Sequence, residues 1–176
     1  MGLFNWLKKD NNSLNGVDLS LLHTDIHSHL IPGIDDGSPN METSIALLKE
    51  LETLGYKKII TTPHVKTEYF QNDVNQLDDL CERLRRAARF EGIKLDIEVG
   101  AEHLLDDFNQ FVRLKDSGVL FQANIISFGN YYGKDVYNLA KKLIDNNMIE
   151  LLGTDTHSAK HIEAIRKSCS SNLLKK

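Results

Sequence analysis

Histidines and carboxylates recur along this sequence with the types and spacing of a metal cluster. Thr24-Asp25-Ile26-His27-Ser28-His29 carries two histidines one residue apart. Alternate side chains of a strand share a face, so both imidazoles point the same way from a strand end. Ile34-Asp35-Asp36-Gly37 follows closely and supplies two carboxylates. His64 comes after Thr61-Thr62-Pro63, and Glu102 after Gly100-Ala101. Asp155 and His157 repeat the one-apart spacing within Gly153-Thr154-Asp155-Thr156-His157. Imidazole mixed with carboxylate oxygen suits Mn²⁺, Fe or Zn²⁺ better than a thiolate-selective ion. A glutamate such as Glu102 can bridge two ions. Paired ions lower the pKa of a bound water and stabilise the attacking and leaving oxygens of phosphoryl transfer. The competing reading, a set of unrelated surface and core-satisfied histidines, weakens with each further site. His23, His103 and His161 stand outside the motifs and read as surface or supporting groups. Asn124 reads as a loop-orienting residue.

The elements that must position these groups alternate in type. Apolar strand-like runs span Leu21 to Ile26, Lys58 to Thr62, Leu95 to Val99, Val119 to Ala123 and Glu150 to Gly153. Helical periodicity fills the intervals. One helix is predicted from a Ser38 cap with Pro39 in its first position, through Ile45, Leu48 and Leu51, to a stop at Gly55. A second carries Val74, Leu77, Leu80, Cys81, Leu84, Ala87 and Ala88 on one face, up to Gly92. Others carry Phe108, Phe111 and Leu114, then Val136, Leu139 and Leu143, and finally Ile162 and Ile165. Alternating β and α implies a parallel sheet or barrel, whose site lies at the carboxyl ends of the strands. Every strand-like run ends in a polar or metal-capable residue, as that rule requires.

Composition narrows the class. With 41% hydrophobic and 26% charged residues among 176, the chain has the make-up of an ordinary globular domain. A net charge of −4 argues against a nucleic-acid surface, which calls for a basic patch. No apolar run reaches the ~20 residues of a membrane span, and a cytoplasmic protein is expected. Cys81 and Cys169 lack the spacing of a zinc pair or redox motif. Arg85, Arg86 and Arg89 read as a solvated helix face. Residues 1–20 read as a tail, with Met1 to Asp10 weakly amphipathic, and residues 21–176 as one domain. No serine nucleophile elbow, glycine-rich phosphate loop or cysteine phosphatase signature is present.

The motifs from Asp25 to His29, Leu30-Ile31-Pro32-Gly33-Ile34-Asp35-Asp36-Gly37, Thr62-Pro63-His64, Gly100-Ala101-Glu102 and Gly153 to His157 resemble the polymerase-and-histidinol-phosphatase (PHP) superfamily. Within it they most resemble the bacterial manganese-dependent tyrosine phosphatases of capsular and exopolysaccharide biosynthesis. The resemblance is collinear from about residue 20 to 168. It implies a distorted β/α barrel whose ions hydrolyse phosphotyrosine through a metal-bound hydroxide, with no protein nucleophile. It further implies that His27, His29, Glu102 and Asp155 hold one ion, and that Asp36, His64 and His157 hold another. The implied substrate is the phosphotyrosine tail of a bacterial tyrosine kinase.

One departure stands out. After Gly-Ala-Glu the family carries two further β/α units, which complete a third metal site and supply a phosphate-binding arginine. Here no histidine lies between His103 and His157, and only Asp106 or Asp107 offers a substitute. The chain is short for a barrel, which takes about 250 residues. An incomplete or distorted PHP-type barrel holding fewer than three ions is therefore expected, with two sheet edges for a partner chain, a second copy or a local rearrangement to cover. Two alternatives follow: a weak or inactive homologue that binds metal or kinase, and a TatD-like nuclease or amidohydrolase, which also begins with His-x-His.

Overall fold

Each apolar run that precedes a site residue forms a short strand. The computed structural model describes residues 17–65, 72, 74–102, 115, 118 and 120–170. The predicted amphipathic tail, the helix around Phe108, Phe111 and Leu114, and His103, Asp106 and Asp107 lie outside the described residues. The strands are β1 (Thr24–Asp25), β2 (Lys58–Thr61), β3 (Asp96–Val99), β4 (Gln122–Asn124) and β5 (Leu151–Gly153). β1 pairs β2, β2 pairs β3 and β4 pairs β5, all parallel. A bridge between Ser28 and Thr156 joins the two sheets, reinforced by His29 N–H to Thr156 O (3.0 Å) and Asp155 N–H to His27 O (2.7 Å). The strands therefore run in the order β4-β5-β1-β2-β3, an arc of parallel strands. Among the described residues no pairing joins β3 to β4.

Leu21 and Leu22 depart from the predicted first strand. They lie in a 3-10 turn, Ser20–Leu22, and His23 takes φ 57°. The carbonyl of His23 accepts from Lys57 and Lys58, so pairing with β2 begins only at Thr24.

α1 (Met41–Thr53) buries the predicted stripe of Ile45, Leu48 and Leu51. Its cap is Asn40 rather than Ser38: the Asn40 side chain accepts from Thr43 N–H at 2.9 Å. Ser38 is instead buried, donating to Asn40 O and accepting from Ser44 Oγ. α1 ends where Gly55 adopts φ 103°, a conformation that side-chain-bearing residues resist.

α2 (Val74–Phe90) turns Leu77, Cys81, Leu84 and Ala88 inward. Arg85 does not join the solvated face assigned to it. Its guanidinium donates to Ile97 O at 2.6 Å and pins α2 to β3. Arg86 and Arg89 pair with Glu82 in solvent. α3 (Lys134–Asp145) and α4 (Ala159–Cys169) both pack on a buried 3-10 segment, Ile125–Gly129. Cys81 and Cys169 are free and buried, and burial pushes the Cys169 thiol up to about 12, so neither is a nucleophile.

Asp25 fastens β1 to β5 beneath the site. Fully buried, it accepts from Thr154 N–H (2.8 Å) and Thr154 Oγ (2.6 Å), while burial pushes its carboxyl up to about 6. Thr154→Val leaves one of those acceptors unpaired and is expected to cost about 1–3 kcal/mol, read as a lowered thermal midpoint.

Candidate metal centre

The carboxyl ends of β1, β2, β3 and β5 turn toward one another, and their side chains converge. Glu102 Oε2 lies 3.4 Å from His27 Nε2, 3.1 Å from His29 Nε2 and 3.2 Å from His64 Nδ1. Asp155 Oδ1 lies 3.5 Å from His27 Nε2 and 3.6 Å from His29 Nε2. Asp36 Oδ1 lies 3.3 Å from both His64 Nε2 and His157 Nε2. All seven residues predicted from sequence therefore meet around one point. They form two overlapping groups, His27, His29 and Asp155 beside His29, Asp36, His64 and His157, with Glu102 between them.

These spacings fit metal ligation. Ligand atoms each about 2.1 Å from a shared ion stand roughly 3.0–3.4 Å from one another. Glu102 Oε2 is buried and makes no hydrogen bond, although three ring nitrogens surround it. A buried carboxylate oxygen left this way is costly unless a cation meets it.

The outward ring nitrogens are all engaged. His27 Nδ1 meets Gln122 Oε1 at 2.9 Å, His29 Nδ1 meets Asp35 Oδ2 at 2.8 Å, and His157 Nδ1 meets the Asp155 carbonyl at 2.9 Å. Acceptors at Nδ1 place the proton there and turn each Nε2 lone pair into the cluster. Asp35, absent from the predicted ligands, also accepts from His64 and Gly37 N–H and so organises the whole Asp-Asp-Gly loop. Gly37 is required by space, since a Cβ there would sit 2.3 Å from the His29 carbonyl. Asp155 holds φ 56°, rare for a residue with a side chain, and this backbone turn aims its carboxylate inward.

Charge in the cluster is tightly balanced. Burial disfavours the His29 cation, but Asp35 and Glu102 outweigh it and hold the ring up to about 9. Burial likewise opposes the His27 cation, and Glu102 and Asp155 raise it above its ordinary value. Burial also opposes the Glu102 anion, yet the two imidazoles hold its carboxyl well below the usual range. The metal-free cluster thus keeps protons where cations would sit.

Four supporting residues carried little sequence signal. Gln122 and Asn124 share a face of β4. Tyr132 and Asn124 both donate to Asp155 Oδ2. His161 Nδ1 lies 2.7 Å from the Asp155 carbonyl and 3.1 Å from His157 N. The alternation Gln122-x-Asn124 was the one available clue. A cleft of about 640 Å³ opens over Asp36, Glu102, Asp155 and His157.

Comparison with known proteins places this chain in a family. The family model for capsular polysaccharide synthesis, CpsB/CapC, matches residues 23–107 and again 102–176. The chain belongs to the CpsB/CapC family. The two matched stretches overlap at residues 102–107. Membership speaks against the nuclease and amidohydrolase alternative. The tyrosine-protein phosphatase YwqE of Bacillus subtilis (strain 168) is 30% identical over 78 residues, which is 44% of this chain and 31% of YwqE. The tyrosine-protein phosphatase CpsB of Streptococcus pneumoniae is 33% identical over 78 residues, 44% of this chain and 32% of CpsB. The matched part of this CpsB/CapC chain thus spans about a third of the length of either curated relative. A crystal structure from the YwqE and CpsB pair, described as metal-dependent tyrosine phosphatases, superposes with a TM-score of 0.68. It is 18% identical and covers 86% of this chain and 89% of the solved one, a likeness of fold.

Proposed function

We propose that this chain is a metal-dependent protein-tyrosine phosphatase of capsular and exopolysaccharide biosynthesis. Its substrate would be the phosphotyrosine tail of a bacterial tyrosine kinase, met in the cytoplasm. The observation that carries the reading is the buried, hydrogen-bond-free Glu102 Oε2 among three imidazole nitrogens. His27, His29, Glu102 and Asp155 would hold one ion, and Asp36, His64 and His157 a second. Mn²⁺ is the favoured occupant, with Fe or Zn²⁺ as alternatives. Bound divalent ions supply an activated water and positive charge for the phosphoryl oxygens.

The chain's own residues do the remaining work. Gln122, Asp35 and the Asp155 carbonyl hold three imidazoles in the tautomer that offers Nε2. Glu102 and Asp155 supply negative charge to retain cations, and the cleft admits a phosphoryl group beside them. No described helix is long and apolar enough to cross a membrane.

A second reading has one observation behind it. No Lys or Arg is among the residues lining the cleft, so no described cation meets the phosphate. A homologue that binds metal or kinase with little turnover has this cleft. Purified protein with Mn²⁺, assayed on p-nitrophenyl phosphate and a phosphotyrosine peptide, decides between them. Hydrolysis lost on chelation and restored by Mn²⁺ supports the phosphatase. Tight metal binding without hydrolysis of either substrate supports the second reading. Elemental analysis after dialysis is expected to give at most two ions per chain. Three would mean further ligands outside the described residues.

A further inference from the structure

β4 contributes no predicted metal ligand, yet it reaches two of them. Gln122 Oε1 accepts from His27 Nδ1–H at 2.9 Å, and Gln122 Nε2 donates to Asn124 Oδ1 at 2.8 Å. Asn124 Nδ2 then donates to Asp155 Oδ2 at 3.0 Å, and the Tyr132 hydroxyl donates to the same oxygen. Tyr132 reaches in from a turn shaped by Asn130 at φ 61° and Gly133 at φ 95°. The two oxygens of Asp155 are therefore unlike. Oδ1 faces His27 and His29, whereas Oδ2 is taken up by two neutral donors.

We propose that Gln122, Asn124 and Tyr132 form a positioning clamp that fixes the His27 tautomer and limits Asp155 to one metal-facing oxygen. This rests on the metal reading above and goes further, because it assigns a task to three residues that touch no ion. A carboxylate can bind a cation through one oxygen or both. Two donors on Oδ2 occupy the lone pairs that a second bond would need. With Asp155 held to a single bond, one coordination position stays open for water or a phosphoryl oxygen. Gln122 sets the other end of the chain, since without its acceptor the His27 ring loses the partner that keeps the proton on Nδ1.

The test uses the full chain, stripped of metal and titrated with Co²⁺, whose visible spectrum reports coordination, and with Mn²⁺. Tyr132→Phe removes one hydroxyl from a partly exposed side chain, so the fold should survive; thermal melts of the metal-free protein check this. It is expected to shift the Co²⁺ spectrum toward higher coordination, as Oδ2 becomes available. Gln122→Met is expected to weaken Co²⁺ and Mn²⁺ binding by about 10–100-fold, the usual cost of losing a partner of a ligating histidine. Gln122→Glu keeps an acceptor for Nδ1–H and should restore most of that affinity. A merely structural role would lower melting temperatures while leaving the spectrum and affinity unchanged, and that result overturns the clamp. If the unaltered protein binds neither Co²⁺ nor Mn²⁺, the metal reading fails and the clamp falls with it.

Discussion

Glu102→Gln is expected to remove both ions in a single step. Among the described residues its Oε2 lies within 3.4 Å of His27, His29 and His64 together, between the two groups of the cluster. The amide is nearly isosteric, but it carries no charge and places either an oxygen or an N–H at that central point. Two dications would then face Asp36 and Asp155 alone. Outer partners of metal ligands cost about 10–100-fold when lost, and a shared inner ligand should cost more at each site. Equilibrium dialysis with elemental analysis measures the loss, and hydrolysis should disappear with it. The metal-free variant also changes predictably: without the neighbouring anion, His29 should titrate closer to its ordinary value. Retention of two ions by Glu102→Gln would remove Glu102 from the centre of the site.

Raising pH across neutrality should strengthen metal binding by about tenfold per unit, with protons released on uptake. His29 in the metal-free cluster is held up to about 9, so at pH 7 its ring carries the proton that an ion must displace. One displaced proton changes the apparent binding constant tenfold for each pH unit below that value, equivalent to about 1.4 kcal/mol. His27, also raised, can add a second proton. Calorimetry in buffers of different ionisation enthalpy counts the protons directly. The stability of the metal-free protein should run the other way. A histidine whose folded value is raised contributes stability that is fully present below about 6.5 and is lost as pH rises through about 9. Melting of chelated protein should therefore fall as pH rises from about 6.5 to about 9, the same range in which affinity for Mn²⁺ climbs. Metal uptake with no proton release at pH 7 would show that His29 is already neutral.

The convergence of candidate ligands was partly legible in the sequence, because ligation needs particular side chains at particular points of a periodic backbone. His27 and His29 share a strand-end face by the period of two, and Asp155 and His157 repeat it. Apolar runs before each motif marked β1, β2, β3 and β5, and the alternation with helices gave parallel pairing. What distinguishes Asp35 from Asp36 was not legible. The two adjacent carboxylates have the same chemistry, and only the fold of the loop sends Asp35 to the outer nitrogen of His29 while Asp36 meets His64 and His157.

Nor did local pattern reveal that Arg85 would reach the carbonyl of Ile97, or that Asn40 rather than Ser38 would cap α1. Both outcomes depend on where a neighbouring backbone group lies. Gln122, Asn124 and Tyr132 show the limit most clearly. Amides and phenols occur on any surface, and contacts separated by 95 and 23 residues exist only once β4 lies beside β5 and β5 beside β1. Sequence determined which atoms could hold a metal, because that is a property of side chains and short spacings. Tertiary structure decided which oxygen and which ring nitrogen face it, because orientation is set by partners brought together from distant parts of the chain.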